Sequence, residues 1–439
     1  MTTIFKGGML IDGTGKFIEN SVVVVEGSKI AGVGPAGEVP LPKREGVTVI
    51  DAAGTSILPG LIDLHVHLHG QGEAADSVRY RLLNESDAYQ GVILAENAHR
   101  TLEAGFTTIR DMGAPNDVNI AISRAVHDGV LKLAPRIIPV ATIRMTTLPG
   151  GYDVHGTRGG VTGALEARKT AREKIAGGAE VIHVVATGAS FGQFGPHTLG
   201  LSVDEMRAAI EEAQKLGKKT TAHACGSQGM KNAVLAGTQC IEHGQWLYAD
   251  EELLKMVVDR RIAWIPTLMN NPAKLQKMKE AAAQGTRSGL PAYVEERVPE
   301  MVEAHRRSYE AAMKSGVLVA LGSDCGAPFT PNGTNAVEME FFVRYGASEM
   351  QAIEAGTRLA AEVLGLDKLL GTLEPGKEAD LIVVNGEPLK DIRILQKKEN
   401  IRMVVKGGEI QVNRDVNVSK ERHRLENSID SHHAKRAEA

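Results

Sequence analysis

The stretch Asp63-Leu64-His65-Val66-His67 carries two histidines two residues apart. Side chains on a strand alternate with period 2, so both imidazoles leave the same face and can reach one divalent ion. An H-x-H pair alone is weak, but four more polar residues follow it in order, each closing a short apolar run. They are His183 in V-I-H-V-V-A-T-G, His223 in K-K-T-T-A-H-A, His243 in C-I-E-H-G and Asp324 in V-L-V-A-L-G-S-D. Neutral imidazoles with one carboxylate suit Zn²⁺, with Mn²⁺ or Co²⁺ as alternatives. Such an ion lowers the pKa of water towards about 7 and polarises a carbonyl oxygen, which is what hydrolysis of an unactivated amide requires. An aspartate that ends a wholly apolar strand is costly to bury unless it is paired or bound to metal. Asp324 is therefore the candidate ligand that also takes a proton from the attacking water and passes it to the leaving amine. His243 or His183, where not occupied by metal, would stabilise the tetrahedral oxyanion. His69 would share the face of His65 and His67 only if the strand continued, and Gly70 argues that it has ended.

The elements that must position these residues alternate. Strands are expected at 60–68, 106–113, 136–141, 181–187, 218–224, 240–244, 262–268 and 317–324, with helical stretches between most of them. In the stretch 201–216, Ser202 and Glu205 form a capping-box pattern, and Gly217 sits where a helix C-terminus belongs. Eight strand–helix alternations predict a (β/α)₈ TIM barrel over 58–365. A doubly wound open sheet is the alternative, but all the candidate ligands lie at the same strand ends, and in barrels that face carries the chemistry. Residues 1–57 are β-branched runs cut by Gly and Asp, and 366–415 repeat the texture, with K-G-G-M-L-I near the start and K-G-G-E-I-Q-V near the end. The two ends are expected to pair into one small β-sandwich. The tail, 416–439, is polar and reads as a frayed helix or disorder, so His432 and His433 are not ligand candidates.

Composition narrows the classes. The 439 residues are 43% hydrophobic and 24% charged, an ordinary globular balance with ample core. A net charge of −4 gives no reason to expect nucleic acid or an anionic membrane as partner. The start lacks a signal-peptide pattern, and no apolar run approaches the roughly 20 residues of a spanning helix. Three cysteines make a disulfide framework improbable, which points to a reducing, cytoplasmic location.

The segments L-P-G-L-I-D-L-H-V-H, T-T-I-R-D-M-G, A-H-A, I-E-H-G, L-G-S-D and L-E-P-G-K-E-A-D-L-I-V-V together resemble the amidohydrolase superfamily, in the branch of imidazolonepropionases and metal-dependent Xaa-Pro or Xaa-Arg dipeptidases. The resemblance covers nearly the whole chain. It implies a barrel with a β-sandwich made from both ends, one or two divalent ions per chain, and by analogy a homo-oligomer. One departure matters. Many dipeptidase-like members end the fourth strand in a lysine that is carboxylated to bridge two metals, and here His183 holds that position. An imidazole cannot form a carbamate, so His183 is either a ligand of one ion or a donor behind the ligands. If two ions bind, His65, His67 and Asp324 would hold the first, and His223 and His243 the second. Deaminase-like relatives carry a glutamate three residues after the fifth-strand histidine, whereas this chain has Gly226, which argues against ammonia release.

The cysteines sit near the ligands: Cys225 two after His223, Cys240 three before His243, Cys325 next to Asp324. A soft-ligand role is one reading and small buried packing residues the other. Substrate contacts are expected from the loops: Arg144, Tyr152, His155 and Arg158 after the third strand, S-F-G-Q-F-G-P-H after the fourth, and Trp246 and Tyr248 after the sixth. An arginine there would suit a substrate carboxylate. Residues 270–300, rich in Lys, Glu and Ala, read as a lid or outer helix. The expected reaction is metal-dependent cleavage of an amide C–N bond in a dipeptide or N-acyl amino acid. A carbamate, urea or cyclic-amide hydrolase is the alternative; a deaminase and a catalytically inactive assembly protein are weaker readings.

Overall fold

Seven parallel strands and an eighth extended segment form the barrel. The strands are Leu61–Val66, Phe106–Asp111, Arg136–Met145, Val181–Val185, Lys219–Ala224, Cys240–His243 and Ala263–Ile265, each paired in parallel with the next. The structure, a computed structural model, describes residues 2–42, 45–74, 77, 80, 84–146 and 160–415. All seven strands fall inside or across the stretches expected from the sequence, and all but the ten-residue Arg136–Met145 are mostly buried.

The eighth segment, 317–325, behaves differently from the strand expected there. It touches its neighbours only through single bridges, Trp264 to Val319 and Val66 to Cys325. It nevertheless closes the barrel. Ala320 N donates to Trp264 O at 3.1 Å, Leu64 N to Leu321 O at 2.9 Å, Asp324 N to His65 O at 2.7 Å and His67 N to Cys325 O at 2.7 Å. The reason for the irregularity is local. The Asp63 carboxylate, fully buried, accepts from Ser323 N at 3.1 Å, Ser323 Oγ at 2.5 Å, Asn335 Nδ2 at 2.8 Å and His65 N at 2.9 Å. A side chain thus takes backbone donors that a regular ladder would pair with carbonyls. Gly322 permits the approach: a Cβ there would stand 2.2 Å from Ile265 Cγ2 and 2.8 Å from His65 Cβ.

The helices lie outside the strands. In Val203–Lys215 the buried residues include Met206, Ala209, Ile210 and Ala213, the i, i+3, i+4, i+7 stripe of a helix laid on a sheet. The Ser202–Glu205 capping box forms as expected. Gly217 adopts φ +67°, and Lys218 N returns to Ala213 O, closing the helix by a left-handed cap.

Both ends of the chain build the β-sandwich. A four-stranded sheet orders Lys29–Pro35, Ser21–Glu26, Thr2–Lys6 and Val47–Asp51. A six-stranded sheet orders Glu409–Asn413, Ile401–Lys406, Leu381–Asn385, Thr55–Pro59, Met9–Ile11 and Phe17–Ile18. The ends join where Leu381–Asn385 runs antiparallel to Thr55–Pro59. Between the sheets lie Phe5, Val23, Ile57, Leu381, Val383 and Met403, all buried. The second sheet also anchors the barrel: Thr55–Pro59 leads through Gly60 straight into the first barrel strand, so the sandwich fixes where His65 and His67 stand. The architecture is a (β/α)₈ barrel carrying a β-sandwich assembled from both termini. Among the described residues, no helix is long and apolar enough to cross a membrane.

Candidate metal centre

The barrel brings the C-terminal ends of its first, fifth, sixth and eighth elements to one mouth. The His65 and His243 rings stand 4.8 Å apart, His223 and His243 4.5 Å, and His65 and His67 5.3 Å. His183, in the middle of the fourth strand and in register with Thr221, lies 6.4 Å from the His223 ring. Asp324 Oδ1 is 3.3 Å from His67 Nε2 and 3.6 Å from His65 Nε2. Ligand atoms of His65, His243 and Asp324 all fall within 4.8 Å of one another. His69 turns elsewhere, its Nδ1 3.1 Å from Gly113 O.

Two of these residues are held in strained backbone. His243 has φ +69° and Asp324 φ +58°, and Thr267, at the end of the seventh strand, has φ +54°. Left-handed backbone is costly for residues other than glycine and persists where the surroundings over-determine it. For His243 the carbonyl is pinned by Trp264 Nε1 at 3.0 Å and His305 Nε2 at 2.9 Å, and its Nδ1 meets Thr267 Oγ1 at 2.9 Å. The strain turns the imidazole across the mouth instead of along the strand.

The electrostatics match a cation. Burial, together with the neighbouring imidazoles, holds His183 and His243 well below the usual histidine range, and burial carries His223 down to about 4. All three are neutral bases at physiological pH. Burial would raise the Asp324 carboxyl, but the hydrogen bond from His67 and the neighbouring imidazoles outweigh it and hold Asp324 below the usual carboxylate range. Burial opposes a proton on His67, yet Asp324 outweighs it and raises His67. A dication would compete with that proton for both groups. Among the described residues, the Nδ1 atoms of His67 and His183 are buried without a partner. Neutral imidazoles, one carboxylate and unspent ring nitrogens fit a divalent metal of the borderline class.

Beneath the mouth lies a support that sequence reasoning missed. Glu242, fully buried, accepts from His65 Nδ1 at 2.8 Å and Arg110 Nη2 at 2.5 Å, and from Thr221 Oγ1. Arg110 also donates through Nε to Leu64 O at 2.5 Å. Although burial opposes it, the Arg110 charge and the His65 hydrogen bond bring Glu242 down to about 2. The carboxylate fixes the His65 tautomer, so that Nε2 faces Asp324 and the mouth. Asp111, on the adjacent second strand, has a similar role: pushed up to about 6 by burial, it accepts from Leu68 N at 2.8 Å and holds the turn after His67. The sequence signal for Glu242 was an acid inside the short buried run C-I-E-H; Asp111, next to Arg110 in T-T-I-R-D-M-G, carried no such signal.

The remaining expected residues scatter. Arg144 lies half-buried on the third strand beside Gly160. Tyr152, His155 and Arg158 lie outside the described residues, as do His432 and His433. Tyr248 packs towards the helix Ala292–Ser315, where Arg307 stacks 4.0 Å over its ring. Trp246 is buried and stacks on His197 at 4.3 Å. The three cysteines are free and buried. Cys225 Sγ is 3.6 Å from His223 Nε2, and Cys240 Sγ faces Glu242 Oε1 at 3.5 Å. Burial keeps Cys225 and Cys240 as thiols by raising both to about 12. At Gly226 a Cβ would stand 2.9 Å from His197 Nδ1 and 3.0 Å from Pro196 O, so a glutamate has no room there.

Residues 56–411 match the pattern of the Amidohydrolase family. The chain belongs to that family. It is 29% identical to ochratoxinase of Aspergillus niger over 433 residues, covering 93% of this chain and 86% of that protein. It is 26% identical to a 5-methylthioadenosine/S-adenosylhomocysteine deaminase of Symbiobacterium thermophilum, covering 88% of this chain and 85% of that protein. Among solved structures, a Xaa-Pro dipeptidase with methionine bound in its active site superposes with a TM-score of 0.82 at 27% identity, over 93% of this chain and 99% of that one. This amidohydrolase is a hydrolytic enzyme acting on C–N bonds.

Proposed function

We propose that this amidohydrolase cleaves the amide bond of a dipeptide or N-acyl amino acid, with a divalent metal, Zn²⁺ by preference, held at the mouth by His65, His67, His183, His223, His243 and Asp324. The observation that carries the reading is the convergence of neutral imidazoles on one ionised, buried carboxylate, with no acid accommodated at Gly226 to serve ammonia release. When bound, the metal acidifies water and polarises a carbonyl. The chain's own residues do the rest. Asp324, ionised and facing His65 and His67, accepts the proton of the attacking water and delivers it to the departing nitrogen. Where not occupied by metal, His243, held by Thr267, Trp264 and His305, or His183 would stabilise the developing oxyanion. Arg144, Tyr152, His155 and Tyr248 are proposed to contact the substrate from the loops. The likeness to ochratoxinase and to a Xaa-Pro dipeptidase supports the amide reading. Free buried thiols are in keeping with a cytoplasmic enzyme, and family resemblance with a homo-oligomer.

His183 favours a second reading. Without a lysine to form an anionic bridge, the site suits one ion, or two bridged by solvent alone, and the substrate could then be a carbamate, urea or cyclic amide.

A mass-spectrometric product screen tests both. Metal-loaded protein meets dipeptides, N-acyl amino acids, ureas, carbamates and amino-heterocycles. Release of free amino acid is the expected result. Cleavage confined to ureas or carbamates moves the assignment to the second reading, and ammonia from a heterocycle overturns both.

A further inference from the structure

The helix Asn270–Gln284, expected from its composition to be an outer or lid element, buries a lysine. Lys274 has no exposed surface. Its Nζ is hydrogen-bonded to Asn270 Oδ1 and lies 3.4 Å from both Ser190 Oγ and Asn271 Oδ1, with the Phe191 ring centroid 5.3 Å away. Every one of these partners is neutral. The charged or titratable groups it feels, Asp324 and Cys225, act only through space. Burial brings the ammonium down to about 8, so it remains a cation at neutral pH. A buried cation without a contacting anion is costly.

A second donor beside it is also unspent. Asn270 is 3% exposed, and its Nδ2 has no hydrogen-bond partner among the described residues. The amide orientation follows from chemistry: the oxygen must face the ammonium, because two donors would repel, so the NH₂ group points away from Lys274.

Contacts on both sides place this pair in the wall of the mouth. On one side His243 Nδ1 meets Thr267 Oγ1 at 2.9 Å, and Asn270 N returns to Thr267 O at 3.4 Å, with Lys274 one turn further on. On the other side Ser190 lies two residues beyond Gly188, whose carbonyl is 3.3 Å from His223 Nε2. The lysine stands between the fifth-strand and sixth-strand histidines.

We propose that Lys274 and Asn270 form the receptor for a substrate carboxylate, the free α-carboxylate of a dipeptide or N-acyl amino acid. The ammonium supplies charge and one donor, Asn270 Nδ2 supplies a second, and the two oxygens of a carboxylate accept both. The proposal rests on the amide reading for the identity of the ligand. The residues are binding residues that take no proton in the reaction, and they set specificity for substrates that end in a free acid.

The test pairs N-acetyl-L-leucine with N-acetyl-L-leucinamide. Each is titrated calorimetrically into full-length, metal-loaded protein, and any released leucine or leucinamide is followed alongside. Wild type is expected to prefer the acid. Lys274→Met should lose about 100-fold in affinity for the acid, carried in KM where turnover occurs, and little for the amide. Asn270→Asp, which gives the ammonium an internal partner, should lose the same preference without emptying the site of charge. Metal content should stay at the wild-type value in both, and the unfolding midpoint should match or exceed it, since each change relieves an uncompensated buried cation. Equal binding of acid and amide by wild type, or an acid-to-amide ratio unmoved in the variants, overturns the receptor while leaving the amide reading standing. A folded Lys274→Met that has lost its metal overturns it by assigning the lysine to the metal centre. A lysine-dependent acid preference without any cleavage upholds the receptor and removes N-acetyl-L-leucine as a substrate, leaving the amide reading to the product screen with dipeptides.

Discussion

Two layers of buried polar groups sit one above the other in the barrel, and they are built to opposite standards. In the lower layer, Arg110, Thr221, Glu242 and the Nδ1 side of His65 satisfy one another with charge-assisted bonds. In the upper layer, among the described residues, His67 leaves a ring nitrogen unpaired and Asn270 an amide donor, and His243 and Asp324 take left-handed backbone. Buried polar groups in native proteins are nearly always satisfied. Unspent groups at a mouth, above a layer of paired charges, mark where a ligand belongs. His65 joins the layers: one nitrogen is locked from below so that the other can serve above.

The comparison predicts that damage to the upper layer costs activity and damage to the lower layer costs stability. Asp324→Asn should leave the fold intact and lower turnover by about 10³-fold or more, because the proton carrier is gone while the shape remains. Its unfolding midpoint should match or exceed wild type, as expected when a functional strain is relieved. Undiminished turnover would remove Asp324 from the mechanism.

Glu242→Leu attacks the layer below. It strands the Arg110 guanidinium in the core, at a cost of about 3–5 kcal/mol read from the denaturant midpoint. Metal affinity should also fall by about 10- to 100-fold, because His65 loses the partner that orients it. A variant that binds metal weakly yet unfolds like wild type would dissolve the distinction between the layers.

His305 sharpens the comparison through pH. It lies buried behind His243, and burial takes it from 6.5 to about 4. The unfolded chain therefore binds a proton that the folded chain refuses, so the contribution is complete above pH 6.5 and is lost as pH falls towards 4. The loss is on the order of 3 kcal/mol, and His305→Gln should flatten the curve of unfolding free energy in that window. The smallest effect is expected at Cys325, buried with Sγ 3.7 Å from Thr334 Oγ1. Cys325→Ser should keep bound metal and most activity, with less than about 2 kcal/mol lost; loss of metal would make the thiol a ligand.

Much of the barrel was legible in the sequence because local signals carry it. Short apolar runs spaced by capped helices give strand and helix order, as Ser202, Glu205 and Gly217 show. His65 and His67 were legible because a period of two forces them to one side. The eighth element was misjudged in regularity: V-L-V-A-L-G-S-D has the composition of a strand, but Asp63 reaches across from a residue 260 positions away and takes its backbone donor. Nothing local to 317–324 announces that.

The chain by itself determined which residue types stand at which strand ends, and hence the family, the barrel and a cation-binding chemistry, since these follow from periodicity and side-chain identity. Tertiary structure alone decided which groups were spent and which were left over. Glu242 and Lys274 are both charged residues in a string of letters. Only the folded barrel gives the first a guanidinium and an imidazole, and leaves the second in a dry wall with neutral partners. Burial and partnership are properties of packing between distant segments, and no window of sequence contains them.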